Sequence, residues 1–235
     1  MDVPRPFPPS WPPGWHVEHV AETGSTNADL LARAGTAPSR TVRFTDHQTA
    51  GRGRLDRRWD APPGTNLLVS LLFRGGTPID WMRRIGIAAV AAATELAGVD
   101  ARLKWPNDVL VDGRKLAGML AQLDGSHAEP VTVVGLGLNV GWAPDGAARL
   151  GDDLAPADVL AAVLRAFDAF EGDPHERYSE LLATLGQEVR VELPDGATLV
   201  GRATAVERDG QLVLLDACAL THRIDAGDVI HLRPA

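Results

Sequence analysis

The hydrophobic period of the chain changes once, at Gly186. Before that glycine, runs at helical spacing alternate with short apolar strands. After it, apolar residues recur at every second position, as in Val189, Val191, Leu193 and then Leu212, Leu214. Turns at Pro194-Asp195-Gly196 and Asp209-Gly210 cut this stretch into short strands, enough for a small β-barrel. The expected organisation is a Pro-rich leader over residues 1–14, a larger mixed domain over 15–185 and a small barrel over 186–235. The fold class this implies is α+β.

Within the larger domain, Thr26 is placed to cap a helix over 27–34, with Asp29 completing a capping box and Gly35 as the stop. Strands are expected at 41–46 and 66–74. Thr77, Pro78 and Asp80 then start a helix that Gly98 ends. Further strands at 102–105, 109–111, 117–123 and 131–138, and helices at 156–171 and 174–182, complete a mixed sheet flanked by helices.

At 235 residues the chain is too short for several catalytic domains. Its longest apolar run, Ile87 to Ala93, is about a third of what a membrane-crossing helix needs. Six prolines in the first fourteen residues are incompatible with a secretion signal, so a cytoplasmic protein is expected. The single cysteine, Cys218, excludes disulfide scaffolds and cysteine zinc sites; its apolar surroundings predict a buried, inert thiol. Scattered histidines predict no structural metal. A net charge of -8 argues against general nucleic-acid binding.

Local chemistry departs from that average in two places. Gly51 to Trp59 carries four arginines against Asp56, a positive loop whose glycines let backbone amides approach an anion. A polyphosphate suits it; a solvated basic loop paired with acidic surface is the alternative. Asp56 stands where a dinucleotide fingerprint needs its third glycine, and no P-loop pattern exists. Secondly, 21 of the 23 basic residues are arginine, and the two lysines, Lys104 and Lys115, fall within one stretch, 103–120. A lysine there is suited to charge developing on a carboxylate or phosphate, although surface lysines are commonly just solvated. Val133 to Gly141 is an apolar strand with glycines and one polar side chain, Asn139; it is either a Gly-rich core strand or a ligand wall. Glu22 to Asn27 either caps a helix or holds a neutral polar ligand.

Taken in order, Gly24-Ser-Thr-Asn27, Gln48-Thr-Ala-Gly-Arg-Gly-Arg54, Lys104-Trp-Pro-Asn-Asp108, Lys115-Leu-Ala-Gly118 and Gly135-Leu-Gly-Leu-Asn139 resemble the biotin protein ligases over roughly residues 17 to 235. The resemblance implies a class II synthetase-like catalytic domain over 15–185 and a C-terminal SH3-like barrel. It implies ATP-dependent activation of biotin to biotinyl-5'-AMP, then transfer to a lysine of the biotin carboxyl carrier domain of an acyl-CoA carboxylase. Biotin and ATP are the substrates, with Mg2+ arriving on ATP.

Carried over by motif, Ser25, Thr26, Asn27, Gln48, Gly51 and Gly118 belong to the biotin site. Arg52, Gly53 and Arg54 lie on a loop that closes over biotin and its adenylate, and Lys115 contacts the carboxylate and α-phosphate. Arg57, Trp59, Asn107 and Asn139 fall near the nucleotide, and Asp108 is a candidate to orient the acceptor lysine or take its proton. Asp56 departs from the family's usual glycine; pairing with Arg57 or Arg58 and repulsion of phosphate both remain open. No DNA-binding module is expected ahead of the core, so no DNA partner is expected; the chain is a monomer or homodimer. The rivals are a lipoate or octanoate ligase of related fold and, in a different class, a non-enzymatic nucleic-acid binder using residues 52–59.

Overall fold

The computed structural model describes residues 11–55 and 57–231. Most of the leader, Asp56 and the last four residues lie outside them. Seven strands form one sheet in the order β1-β2-β3-β7-β6-β5-β4. They are β1 (His16–Thr23), β2 (Thr41–Gln48), β3 (Leu67–Arg74), β4 (Ala101–Lys104), β5 (Asp108–Val111), β6 (Arg114–Asp124) and β7 (Val131–Leu138). Only β1 and β2 run parallel; every other neighbouring pair is antiparallel.

The pleat sorts these strands into two faces. Leu67, Val69, Leu71 and Phe73 of β3 and Val134, Leu136 and Leu138 of β7 join the main core with α2 (Pro78–Ala97) and α3 (Pro156–Ala169). Leu72, Val131 and Val133 face the other way and pack under Leu30 of α1 (Thr26–Leu31) and Ala34 just beyond it. Each of these fully buried aliphatic side chains contributes roughly 1.5–3 kcal/mol. Further along the same face, the paired positions are Gly135 with Leu120 and Gly137 with Gly118. With no valines there, the sheet keeps an open floor beside α1.

Helix α2 follows its sequence signals. Thr77 accepts from the Asp80 amide, Pro78 occupies the first turn, and Gly98 ends the helix at φ +65. Helix α1 does not. Ser25 stands at its N-cap without a side-chain bond, Thr26 is inside the helix, and the helix stops at Leu31. The Thr26 hydroxyl has been drawn into tertiary bonds, and Asp29 accepts from Thr23 and Arg43. Strand β1, which the apolar pattern does not predict, is a largely exposed edge strand with little alternation to read.

Helix α4 (Pro174–Leu181) leads to a second sheet in the order β11-β10-β9-β8-β12. Its strands are β8 (Glu188–Glu192), β9 (Thr198–Val206), β10 (Leu212–Leu215), β11 (Thr221–Ile224) and β12 (Asp228–His231). All are antiparallel. Val189, Val191, Leu212, Leu214 and Val229 join the main core. Polar ties reinforce the contact: both terminal nitrogens of Arg83 donate to Glu207 O and Arg208 O at 2.7 Å, and the Trp105 indole donates to Gly210 O at 2.8 Å. Cys218 is exposed in the turn between β10 and β11, contrary to the expected burial. Its neighbours are turn formers, with Asp216 accepting from the Cys218 and Leu220 amides. Among the described residues no helix is long and apolar enough to cross a membrane.

Candidate active site

The open floor is the base of a cleft of about 520 Å³ between the start of α1, the loop 50–60, the β5–β6 region and β12. Its inner end is neutral and polar. Thr26 and Asn27 are buried; Thr26 donates through its amide to Gln48 Oε1 at 2.9 Å and meets the Ser70 hydroxyl at 2.7 Å. Ser70 donates to Asn27 Oδ1 at 2.5 Å, and Asn27 Nδ2 donates to Gln122 Oε1 at 2.7 Å and Leu120 O at 3.2 Å. A chain of hydroxyls and carboxamides, fixed against one another, matches a neutral ligand with both donors and acceptors.

The outer end is cationic. Lys115 Nζ lies 2.7 Å from Asp108 Oδ1 and 5.5 Å from the centroid of the Trp59 ring. At that separation the ammonium and the carboxylate form an ion pair. Residues 51–55 and 57–59, most of which line the same cleft, fold into a small hairpin flap. Gly53 N donates to Arg57 O at 2.7 Å and Trp59 N to Gly51 O at 3.1 Å. Arg52, Arg54, Arg57 and Arg58 all line the cleft. Burial pushes the Arg54 guanidinium below its ordinary pKa, opposed by the charges of Asp228 and Asp108. The nearby Lys104 amine is likewise pushed down by burial, although Lys104 itself does not line the cleft.

The glycines of the floor have identifiable occupants. A Cβ at Gly135 would sit 2.5 Å from Asn27 Oδ1, and one at Gly137 would sit 2.3 Å from Trp59 Cε2. A Cβ at Gly118 would sit 3.1 Å from the end of Lys115 and 3.2 Å from the Trp59 ring. These positions seat Asn27 and Trp59 against the sheet. Gly137→Ala is therefore expected to unseat Trp59 and the flap while leaving the strand ladder intact. Turnover should fall at least about tenfold, the effect of misplacing a positioning group by an ångström or more. Steady-state kinetics beside circular dichroism checks this; normal turnover would remove the role given to Trp59.

The structure gathers Ser25, Thr26, Asn27, Gln48, Arg52, Gly53, Arg54, Arg57, Trp59, Asn107, Asp108, Lys115, Gly118 and Asn139 around this cleft. Gly51 is not in its wall; it is buried where a Cβ would meet Trp59 O at 2.4 Å and Gln48 Nε2 at 3.1 Å. Asn107 and Asn139 line the cleft, yet their amides are engaged by the protein itself. Asn107 donates to Met119 O at 2.6 Å, and Asn139 donates to Ala148 O at 2.9 Å and accepts from Asn66 at 3.3 Å. They brace the strand that carries Lys115. Asp56 lies outside the described residues.

Sequence reasoning missed Ser70, Gln122 and Asp228. A lone hydroxyl inside the apolar run 67–73 was the available signal for Ser70. Nothing local marks Asp228, which reaches the cleft through the fold. Among the described residues no group of three or more His, Cys, Asp or Glu side chains gathers to hold a metal.

Comparison with known proteins agrees with this geometry. Residues 20–139 match the model of the biotin/lipoate A/B protein ligase family, and residues 184–232 match that of the biotin protein ligase C-terminal domain. The chain is 39% identical to the biotin–[acetyl-CoA-carboxylase] ligase of Mycobacterium tuberculosis, over 94% of this chain and 91% of that one. It is 36% identical to the enzyme of the same name from Paracoccus denitrificans, over 70% of this chain and 68% of the other. In fold it resembles the biotin protein ligase of Aquifex aeolicus solved with biotin and ATP, with a TM-score of 0.76 at 24% identity over 93% of this chain and 99% of the other. On these matches the chain belongs to the biotin/lipoate A/B protein ligase family.

Proposed function

We propose that the protein couples biotin to ATP, releasing diphosphate, and passes the biotinyl group from biotinyl-5'-AMP to a lysine on the biotin carboxyl carrier domain of an acetyl-CoA carboxylase. The observation that carries this is one cleft with a neutral polar inner end and an outer end lined by Lys115 and four flap arginines. A ureido ring with donors and acceptors suits the first, and a carboxylate meeting a triphosphate suits the second. Match of the C-terminal segment to the biotin protein ligase C-terminal domain favours biotin over lipoate.

In the first step a carboxylate oxygen attacks the α-phosphorus and diphosphate leaves. Two anions brought to 4 Å repel by about 4 kcal/mol at an effective dielectric near 20. Lys115 and the flap arginines offset that repulsion, and the folded flap excludes water from the mixed anhydride. In the second step the acceptor amine attacks the acyl carbon and AMP leaves. Asp108, ion-paired with Lys115 in the wall of the cleft, is placed to orient that amine or take its proton.

We assign the catalytic role to residues 15–185 and the barrel role to 186–235, with the enzyme acting in the cytoplasm, on its carrier and without binding DNA. The test is to incubate the protein with Mg-ATP, either biotin or lipoate, and a carrier domain. Streptavidin-detectable carrier with biotin is expected; modification only with lipoate would overturn the proposal in favour of the lipoate rival. Absence of any product would overturn the ligase reading.

A further inference from the structure

We propose that the start of β12 in the C-terminal sheet latches the flap shut, Asp228 being a positioning residue that retains the activated acid until the acceptor arrives. The retention half rests on the ligase reading; the latch itself does not. Residues 51–59 hold their own shape weakly. Among the described residues the hairpin has few cross-bonds, and Leu55, near its tip, is 53% exposed with φ +54. A lone two-stranded ribbon of this size is marginal in water. Something outside it must set where it rests.

Two flap arginines reach the C-terminal sheet. Arg57 forms an ion pair with Asp228, and Arg54 Nη1 donates to Gly227 O at 3.3 Å. The receiving side is fixed. Asp228 pairs in register with Glu192 of β8, and a Cβ on Gly227 would lie 2.7 Å from Val191 Cγ1 and 2.9 Å from Glu192 O. That close packing pins the Gly227 carbonyl and aims the next side chain at the cleft, whose wall Asp228 joins.

A carboxylate in the wall of an anion-binding cleft opposes the ligand by direct interaction. Asp228 acts instead through Arg57, which it holds, and through its charge on Arg54. The pair is open to solvent, with Arg57 66% and Asp228 25% exposed, so it biases the flap rather than locking it. A bias of about three- to fivefold in the closed population is the scale of such a pair. A modest latch of this kind lets the flap reopen for the carrier.

The flap's arginines make trypsin a direct reporter. In the ligand-free protein, Asp228→Asn should be nicked in the flap about three- to fivefold faster than wild type, the melting temperature staying in place, while Asp228→Glu keeps the wild-type rate. Loaded with biotin and Mg-ATP, Asp228→Asn should release biotinyl-5'-AMP faster by the same factor. Wild-type nicking and release in Asp228→Asn would overturn the latch. So would faster nicking accompanied by a fallen melting temperature that Asp228→Glu does not restore, since that marks a merely structural role. If wild type makes no adenylate, the ligase reading fails, and the trypsin comparison still decides the latch.

Discussion

Lys115→Ala should lose about 10²- to 10³-fold in biotin-dependent pyrophosphate exchange, the scale for removing one preorganised donor from the place where charge develops. The side chain is the cation on the cleft floor, held between Asp108 and the face of Trp59. Its removal deletes a charge that the flap arginines, carried on a separate segment, do not replace. Stability should change far less. Lys115 is 42% exposed, so its pair with Asp108 is partly screened and its loss costs about 1 kcal/mol. Exchange kinetics and a melting curve on the same sample separate the two effects. Wild-type exchange in the variant would remove Lys115 from the first half-reaction.

The largest stability effect is expected at Arg83→Ala. This arginine, 1% exposed, leaves α2 and bonds two backbone carbonyls of the β9–β10 turn. Burial pushes its guanidinium below the ordinary pKa, with Tyr178, Asp80 and Asp173 opposing that shift; it still carries its proton. Truncation removes two charge-assisted hydrogen bonds and opens a cavity between the sheets, costing about 3–5 kcal/mol. For a chain of this size the melting temperature should fall by roughly ten degrees. Arg83→Met refills the volume without the bonds and should recover only part of that loss. An unchanged melting temperature in Arg83→Ala would show that packing alone holds the second sheet in place.

How far the sequence reached can be judged from particular residues. Helix α2 was legible because its signals are local: Thr77, Pro78 and Gly98 act on their own turn. Thr26 was misread as a cap because its hydroxyl is claimed by Gln48 and Ser70, and that competition is decided only when the strands come together. The glycines of β7 were legible as room beside the backbone. That the room belongs to Asn27 and Trp59 was not, since both approach from distant segments. Cys218 was misplaced because an apolar neighbourhood in sequence became a turn in space. Asp228 lies 171 positions from Arg57 and carried no signal of its own.

The central claim is that a single cleft activates the acid, with Lys115 on its floor and the arginine flap as its lid. A crystal structure of the protein with biotinyl-5'-AMP tests this most directly. The account predicts the acyl phosphate within hydrogen-bond distance of Lys115 Nζ, the ureido ring at Asn27 and Gln48, and the hairpin 51–59 folded over both. An adenylate bound away from Lys115, with the hairpin lifted off it, would contradict the account.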